Sequence, residues 1–391
     1  MPLFLQRVNK MEKRNFKNIG EDISLLGFGC MRLPTVDGDD AKIDYEKAQQ
    51  AIDLAYKSGV NYFDTAYGYH GGESENFVGK ALCSRYPRES FFLADKMPPW
   101  FIKQEGDVEK IFADQQRKCR TEYFDFYLEH ALNKENYEKL EAYHTYEFLS
   151  DMKRQGKIRH LGFSFHGDIA TLKRILSEHE WDFVQIQYNY IDCKIGESQE
   201  QYDIIKAHGI PCIIMEPVRG GALANLNDEA NAILKSARPQ MSIASWAIRY
   251  AASQKNVMVV LSGMSSMEQV EDNLKTMSDF EYIEGEDAQT VEKAAEEFKK
   301  YFEVPCTKCH YCVKNCPMQI HIPEMLNVWS EYRLDKKKIN YFDNYLDVEE
   351  GHRASRCIEC GMCESFCPQG INIIEIFKKM KALNKELNIE N

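Results

Sequence analysis

The first 280 residues of this chain alternate between strand-like and helix-like segments, and this alternation restricts the fold more than any other feature. Eight apolar runs are each followed by a segment that can form a helix. These runs are residues 25–30, 60–66, 90–96, 124–130, 158–164, 183–189, 211–217 and 257–263. Because near-continuous apolar strands that alternate with helices form parallel sheets covered on both faces, the pattern predicts an α/β fold.

Eight such units within about 250 residues indicate a closed (β/α)8 TIM barrel. In the first predicted helix, Ala48, Ile52 and Ala55 fall on one face. Gly59 then supplies a stop signal. An open doubly wound sheet is the alternative, but no G-x-G-x-x-G sequence opens the first unit. We therefore predict a barrel over residues 1–280.

Two cysteine runs near the C-terminus share the spacing C-x2-C-x2-C-x3-C, and each is followed by proline. Their members are Cys306, Cys309, Cys312 and Cys316 in the first run and Cys357, Cys360, Cys363 and Cys367 in the second. Bacterial ferredoxins hold 4Fe-4S clusters with this run. Zinc also binds C-x2-C pairs, but the third and fourth cysteines and the proline favour iron–sulfur clusters. Disulfide pairing is a poorer alternative because the gaps are short.

In two-cluster ferredoxins the fourth cysteine of each run binds the other cluster. The same pattern here predicts two crossed sets of ligands. One set is Cys306, Cys309, Cys312 and Cys367, and the other is Cys357, Cys360, Cys363 and Cys316.

An acidic segment, residues 281–300, is predicted to link the two domains as a helix. Its apolar residues fall at helical spacing and are Val291, Ala294, Ala295, Phe298 and Tyr301. Residues 301–391 are predicted to form an α-helical ferredoxin-like iron–sulfur domain. We expect inserted helices over residues 329–351, between the cysteine runs, and a last amphipathic helix from Ile371 onward.

The charge and the hydropathy pattern exclude several classes of partner. A formal net charge of −12 argues against nucleic acid. No apolar run reaches the length of about 20 residues that a membrane-spanning helix needs, so we expect no membrane partner. The N-terminal residues lack the charged-then-apolar pattern of a secretion signal. A cytoplasmic location is therefore the expectation.

Polar residues end three successive predicted strands, where barrel enzymes of this kind place their active residues. Asp64, Lys96 and His130 end the second, third and fourth strands. Tyr69 follows Asp64 in the sequence D-T-A-Y-G-Y. This D-T-A-x-x-Y sequence, with the lysine and the histidine on the next two strands, resembles the aldo-keto reductase family over about residues 20–277.

The resemblance implies reduction of a carbonyl group, or the reverse reaction, with Tyr69 as the general acid. A tyrosine with an ordinary pKa near 10 is a poor acid at neutral pH, and a nearby ammonium stabilises its phenolate. Lys96 would supply that ammonium, Asp64 would hold Lys96, and His130 would orient the carbonyl. A buried structural ion pair of Asp64 and Lys96 is the alternative, which the presence of Tyr69 and His130 disfavours.

The same resemblance implies a nicotinamide cofactor. Ser164 and Gln187, after strands five and six, match contacts to the nicotinamide amide. Residues 262–273, after strand eight, match a phosphate-binding loop, in which Ser265 and Glu268 predict a capping box at a helix N-terminus. The candidate cofactor residues of this loop are Ser262, Gly263, Ser265, Gln269 and Asn273, the last at an adenine-contacting position.

The chain departs from the family pattern at several cofactor positions. The family's Ser-Asn pair after strand five is Ser164-Phe165 here, with His166 next. Met215 stands where an aromatic residue stacks on the nicotinamide. Gly263 and Gln269 align with the basic residues that bind the 2′-phosphate of NADP. Without these charges the resemblance leaves NADH and NADPH both open. Further candidates for the substrate-facing mouth of the barrel are His70, Trp100 and His166.

A nicotinamide transfers two electrons at once as a hydride, iron–sulfur clusters transfer one, and a flavin can do both. FMN at a barrel phosphate site is therefore a further cofactor hypothesis. We predict an oxidoreductase that acts on a small carbonyl or alcohol substrate and uses two 4Fe-4S clusters for electron transfer with a redox partner protein. The alternatives are a non-catalytic barrel whose ferredoxin domain docks to a redox partner, and a flavin-mediated reductase fed by the clusters.

Overall fold

The computed structural model describes residues 11–300, 304–335 and 338–389. Contacts divide the chain into two compact units. The first unit runs to Val218 and resumes over Ala237–Val291, and the second combines Arg219–Ser236 with the chain from Glu292 onward. The second unit therefore contains a segment that interrupts the first unit in sequence.

Eight parallel strands of the first unit close into a barrel, as the alternating pattern predicts. The described residues form ten strands in all, which are β1 Lys13–Asn15, β2 Asp22–Ser24, β3 Leu26–Gly29, β4 Tyr62–Asp64, β5 Phe92–Met97, β6 Phe124–Leu132, β7 Ile158–Phe165, β8 Phe183–Gln187, β9 Cys212–Met215 and β10 Val257–Gly263. From β3 to β10 each strand pairs in parallel with the next, and β10 pairs with β3 to close the barrel. β1 and β2 form a separate antiparallel hairpin. Each of the eight predicted apolar runs overlaps one barrel strand, so the predicted TIM barrel is confirmed.

The α-helices α1–α10 lie between barrel strands in the sequence, and α11–α16 come after the last strand. They are α1 Tyr45–Lys57, α2 Ser74–Val78, α3 Asp107–Cys119, α4 Lys134–Ala142, α5 Thr145–Arg154, α6 Ile169–Glu178, α7 Asp192–Ile195, α8 Ser198–Ala207, α9 Asp228–Ala237, α10 Ile243–Ala252, α11 Met267–Ser278, α12 Gly285–Lys299, α13 Ile322–Asp335, α14 Lys338–Asp347, α15 Met362–Ser365 and α16 Ile373–Leu387. No helix in this part of the chain combines the length and the apolar character needed to cross a membrane.

Helix α1 illustrates how local sequence sets these elements. The side chain of Asp44 accepts a hydrogen bond from the backbone N–H of Lys47 and caps the start of the helix. Gly59 has a φ of +94° just after the last turn, a conformation that glycine adopts without strain. The face that carries Ala48 and Ile52 is buried against the barrel core. The predicted helix and its stop are both confirmed.

The barrel interior is filled by side chains, so it is a packed core and its chemistry is confined to the ends. Tyr62, Phe126 and Phe183 lie in one buried cluster inside the strands. Ile19 and Ile23, from the N-terminal hairpin, pack into the same cluster. Because Ile23 lies just before β3, the hairpin covers the N-terminal end of the barrel. The C-terminal end of the strands remains for a site.

The second unit has its own apolar core, which contains Trp329, Phe377 and Met380. Tyr341 Oη donates a hydrogen bond to Asn384 Oδ1 at 2.8 Å within this core. Helices α12, α13, α14 and α16 cover the predicted linker, the predicted inserted helices and the predicted last helix. Of those predictions, Tyr301, residues 336–337 and residues 390–391 lie outside the described residues.

A close backbone contact joins the segment Arg219–Ser236 to the first cysteine run inside the second unit. Gly220 has a φ of +62°, and a Cβ on this residue would lie 2.1 Å from the carbonyl oxygen of Thr307. No side chain fits in that space, so glycine is required both by conformation and by the approach of Thr307.

Candidate active site and cluster cavities

The side chain of Lys96 is the centre of a polar cluster at the C-terminal end of the barrel strands. Its Nζ donates hydrogen bonds to Asp64 Oδ1 at 2.7 Å, to the backbone oxygen of Thr65 at 2.8 Å and to Tyr69 Oη at 3.1 Å. These three bonds match the three N–H donors of an ammonium group. Strands β4 and β5 supply Asp64 and Lys96, and a 3₁₀ turn after β4 supplies Tyr69.

Burial sets the charges in this cluster. The Lys96 and Asp64 side chains are 0% and 5% exposed. Burial raises the pKa of Asp64 above its ordinary value, and the attraction of Lys96 opposes that rise. Burial also lowers the pKa of His130 well below its ordinary value, and the charge of Lys96 lowers it further. His130 is therefore a neutral imidazole beside an ion pair.

Aromatic rings hold His130 in place. The ring of Tyr69 lies edge-on to the His130 ring with centroids 6.0 Å apart, and the Trp100 ring lies 4.9 Å away on a tilt. The buried Nδ1 of His130 has no hydrogen-bond partner among the described residues. The structure thus brings together Asp64, Tyr69, Lys96 and His130 with Trp100 beside them.

His70 and His166 are the other two candidates for the mouth of the barrel. His70 Nε2 accepts a hydrogen bond from the backbone N–H of Leu33 at 3.1 Å, and its Nδ1 lies 2.7 Å from the backbone oxygen of Asp40. His70 therefore fastens the loop after β3. Burial lowers the pKa of His166 to about 4, so this imidazole is also neutral.

Sequence reasoning missed a buried polar network behind Lys96. Asp95 Oδ1 accepts a hydrogen bond from the backbone N–H of Lys96, and Gln115 Nε2 donates to the Lys96 carbonyl oxygen at 2.9 Å. Burial, with repulsion from Glu75, raises the pKa of Asp95 well above its ordinary value. Cys119 Sγ donates to Asp95 Oδ2 at 3.6 Å. The network therefore holds both the backbone N–H and the backbone carbonyl group of Lys96.

The predicted nicotinamide contacts end three neighbouring strands, β7, β8 and β9. Ser164 Oγ accepts a hydrogen bond from the backbone N–H of Ala131 at 2.7 Å. Gln187 Nε2 donates to Asp192 Oδ2 at 2.6 Å. The sulfur of Met215 lies 3.5 Å from an amide nitrogen, Nε2 of Gln185. The structure places these residues on one rim, and each has a protein partner there.

The loop after β10 begins helix α11, but the predicted capping box is wrong by one residue. The cap is Ser266, whose Oγ accepts a hydrogen bond from the backbone N–H of Gln269 at 3.4 Å. Ser265 instead donates its hydroxyl proton to the backbone oxygen of Arg32, and its N–H donates to Gln269 Oε1 at 2.7 Å. Because its hydroxyl is used elsewhere, Ser265 does not cap the helix.

The first N–H groups of α11 nevertheless stand at the end of the barrel and suit a phosphate group. Asn273 Nδ2 donates to Ser262 Oγ at 2.8 Å, so two predicted cofactor residues bond each other.

An ion pair across this end of the barrel was also missed. Arg32 Nη2 lies 3.3 Å from Glu216 Oε1, which joins the chain after β3 to the chain after β9. A Cβ on Gly263 would lie 3.0 Å from the Cβ of Arg32 and 3.1 Å from its Cγ and Cδ. The guanidinium stem therefore covers the position where the family pattern has a basic side chain. No local sequence signal links residues so far apart.

Two small cavities lie among the cysteines of the second unit. The first is lined by Cys316, Cys357, Cys360 and Cys363, and the second by Cys306, Cys309, Cys312 and Cys367. Each cavity takes three cysteines from one run and the fourth from the other. Within the described residues, no three potential ligand side chains converge as they would on a single ion. Four thiols at each cavity, three from one run and one from the other, match the crossed ligation of two-cluster ferredoxins.

Two family models match this chain, one over the barrel and the other over the cysteine runs. The model of the aldo/keto reductase family matches residues 25–296, which is more than half of the sequence. The model of the 4Fe-4S dicluster domain matches residues 305–371.

Individual relatives cover the barrel. L-galactose dehydrogenase of Arabidopsis thaliana is 27% identical over 304 residues, covering 73% of this chain and 93% of that protein. The NADH-specific methylglyoxal reductase of Escherichia coli is 26% identical over 303 residues, covering 66% and 90%. The holo structure of an aldo-keto reductase from Bacillus halodurans has a TM-score of 0.59 at 27% identity, covering 73% of this chain and 96% of that one.

Proposed function

The chain belongs to the aldo/keto reductase family and is an oxidoreductase with a 4Fe-4S dicluster domain, and we propose that it reduces a small carbonyl substrate, or runs the reverse reaction, at Lys96 and its neighbours. The observation that carries the proposal is the hydrogen bond from Lys96 Nζ to Tyr69 Oη at 3.1 Å, with Asp64 on the other side of the ammonium. A structural ion pair alone would not require a tyrosine hydroxyl on the same ammonium.

Each residue has a role that follows from its contacts. Tyr69 donates the proton to the carbonyl oxygen, because the adjacent ammonium stabilises the phenolate that remains. Asp64 holds Lys96 in position through their hydrogen bond. His130, kept neutral by burial, offers an N–H to orient the same oxygen. The packed barrel interior below excludes water from one side of this group.

A nicotinamide cofactor would supply the hydride for this reaction. The residues that would hold it are Ser164 and Gln187 at the amide end and the start of α11 at the phosphate end. NADH is the cofactor we favour, because Gly263 and Gln269 provide no charge for a 2′-phosphate, and the Arg32 guanidinium beside Gly263 is already paired with Glu216. The relative of Escherichia coli described as NADH-specific supports this choice.

The cysteine cavities would hold one 4Fe-4S cluster each, with the ligand sets crossed between the two runs. Cys306, Cys309, Cys312 and Cys367 line one cavity, which supports their assignment to one cluster. Clusters of this type transfer single electrons. We assign to residues 301–391 the exchange of electrons with a redox partner protein.

Replacement of Tyr69 by phenylalanine tests the proposed chemistry. We expect Tyr69→Phe to lower kcat for aldehyde reduction by about 10²–10⁴-fold, since the general acid is lost. The assay uses the full chain with both clusters, prepared without oxygen, with NADH and NADPH and a panel of aldehydes. Analysis of the same preparation for bound flavin tests the FMN hypothesis.

Tyr67→Phe is the matched control, because Tyr67 packs on Phe101 outside the polar cluster and should retain activity. Wild-type turnover in Tyr69→Phe would contradict the assignment. Nucleotide binding without turnover in the wild-type protein would instead favour a barrel that binds but does not catalyse.

A further inference from the structure

Asp95 and Lys96 are consecutive residues of β5, so their side chains point to opposite faces of the sheet. Lys96 reaches Tyr69 at the end of the barrel, whereas Asp95 faces the helices and contacts Cys119 of α3. The backbone N–H of Lys96 donates a hydrogen bond to Asp95 Oδ1 at 2.8 Å. The ammonium group that Tyr69 contacts is therefore carried on a peptide that Asp95 holds from behind.

Asp95 is fully buried, and it shares this buried place with a second carboxyl group. Among the described residues its donors are the Lys96 N–H and the Cys119 thiol, which are both uncharged. Glu75 of α2 lies within hydrogen-bonding reach of Asp95, and the cation beside the two carboxyls, Lys118, pairs with Glu75 at 3.0 Å. The charge therefore belongs on Glu75 and a proton on Asp95. The other titratable groups that face Asp95 have pKa values raised by burial and are Cys83, Cys119 and Tyr127.

Asp125 on the neighbouring strand β6 shows what an ionised carboxyl group needs at the same depth. It is 1% exposed, and its Oδ2 also accepts a backbone N–H of β5, that of Leu93, at 2.9 Å. Two guanidinium groups pair with Asp125, those of Arg88 at 2.6 Å and Arg159 at 3.0 Å. Because a buried carboxylate without such partners is costly, the contrast favours the neutral acid at Asp95.

We propose that Asp95 is a positioning residue for the carbonyl chemistry, which holds the Lys96 backbone and shares one proton with Glu75. The positive charge of Lys96 stabilises the phenolate that Tyr69 leaves. Asp64 already offsets part of this charge, so a second negative charge at Asp95 would weaken the stabilisation. A neutral acid holds the peptide of Lys96 without that loss. The inference rests on the proposed function, because it gives Asp95 a role in the reaction at Lys96.

Two substitutions separate the hydrogen bond of Asp95 from its charge, in the full chain with both clusters prepared without oxygen. Asp95→Asn keeps an oxygen for the Lys96 N–H and cannot ionise, so kcat for aldehyde reduction at neutral pH should stay within about twofold of wild type. Asp95→Ala removes the acceptor and lets Lys96 move, so kcat should fall by about tenfold to 100-fold with little change in KM.

The dependence of kcat on pH is a readout that a purely structural role would not change. Tyr69 and Asp95 must both be protonated for the reduction, so kcat should fall as pH rises. Asp95→Asn should remove one of the two ionisations from this decline. Burial and then repulsion from Glu75 raise the pKa of Asp95, so Glu75→Gln should make the decline begin at lower pH. Identical profiles for wild type, Asp95→Asn and Glu75→Gln would overturn the proposal.

Infrared spectroscopy tests the shared proton without turnover. At neutral pH the carbonyl stretch of protonated carboxyl groups should lose one component in Asp95→Asn. Glu129→Gln should lose a different component, since burial raises the pKa of Glu129 to about 8. A spectrum that Asp95→Asn leaves unchanged would overturn the shared proton, whether or not the protein reduces aldehydes.

Asp125→Asn is the matched control, because it makes the same substitution at a buried carboxyl group that holds a β5 N–H but is paired with cations. It should keep the wild-type pH profile and the wild-type infrared component. Wild-type kcat in Asp95→Ala, together with a large loss in Tyr69→Phe, would overturn the positioning role alone. Wild-type turnover in Tyr69→Phe would instead count against the proposed function, so the two failures are distinguishable.

Discussion

Lys96 Nζ and Asp64 Oδ1 lie 2.7 Å apart and form a buried ion pair, since their side chains are 0% and 5% exposed. The second carboxylate oxygen of Asp64 is buried without a hydrogen-bond partner among the described residues. Removal of one partner from such a pair leaves an uncompensated buried charge, whereas removal of both does not. The pair therefore couples the stability of the barrel to its proposed chemistry.

Lys96→Met should lower the free energy of unfolding of the barrel by about 3–5 kcal/mol, because Asp64 then loses its countercharge. The double variant Asp64→Asn/Lys96→Met should recover most of that loss. Urea denaturation without oxygen measures both. Tyr69→Phe, which removes one hydrogen bond, should lower the free energy of unfolding by only about 1 kcal/mol. A double variant no more stable than Lys96→Met would contradict the predicted coupling.

We expect the free energy of unfolding to decrease as pH rises, because the buried carboxyl group of Glu129 must then ionise. Burial raises the pKa of this carboxyl to about 8, with repulsion from Glu141 and Glu147 adding to the rise. Between its unfolded value of about 4.3 and about 8, the folded protein binds the extra proton, so the free energy of unfolding decreases by up to about 1.4 kcal/mol per pH unit. The stabilisation is complete below this window and is lost as pH rises through the folded pKa.

Urea denaturation at several pH values checks this dependence. Glu129→Gln should flatten it, since a neutral amide cannot ionise. Glu138→Gln is the control because Glu138 is exposed, and it should keep the wild-type slope. An unchanged slope in Glu129→Gln would show that other groups govern the effect.

Gln269→Arg should shift cofactor preference toward NADPH by about tenfold in Kd, or about 1.4 kcal/mol, because a guanidinium pairs with the 2′-phosphate. Gln269→Met removes the same hydrogen bond to the Ser265 N–H without adding charge, and serves as the control. Gly263→Lys should gain less, since its stem must displace Arg32 from Gly263. Titration with NADH and NADPH provides the measurement. Equal changes for both cofactors would count against the phosphate position.

Paired cysteine variants distinguish crossed ligation from ligation within each run. Cys306→Ala/Cys367→Ala changes one cavity only, so about four of eight irons per chain should remain. Cys306→Ala/Cys316→Ala changes both cavities and should lose both clusters. Iron and sulfide analysis, together with electron paramagnetic resonance, measures how many clusters remain in each variant. The reverse result would mean that each run binds its own cluster.

The barrel and the position of its polar residues could be predicted because strand ends in a parallel barrel share one rim. Residues such as Asp64 and Lys96 therefore meet even though they belong to different strands. The crossed sets of cysteines at the two cavities are likewise those expected from the spacing of the runs.

Interactions that depend on packing between distant loops could not be predicted. Arg32 and Glu216 approach only because β3 and β9 both neighbour β10. In the sequence, nothing distinguishes Asp95 and Glu75 from ordinary solvated carboxylates. Only the fold buries them together behind Lys96. The helix start at Ser266 was misplaced because a local pattern does not reveal that the Ser265 hydroxyl has a distant partner.

The contact between Gly220 and Thr307 has a consequence for gene architecture. Part of the second unit is encoded upstream of the helices that complete the first. A recombination junction near residue 291 would therefore separate the first cysteine run from the Arg219–Ser236 segment that it contacts through Thr307. Exchange of such modules between reductases would require coordinated change at two separated places in the gene.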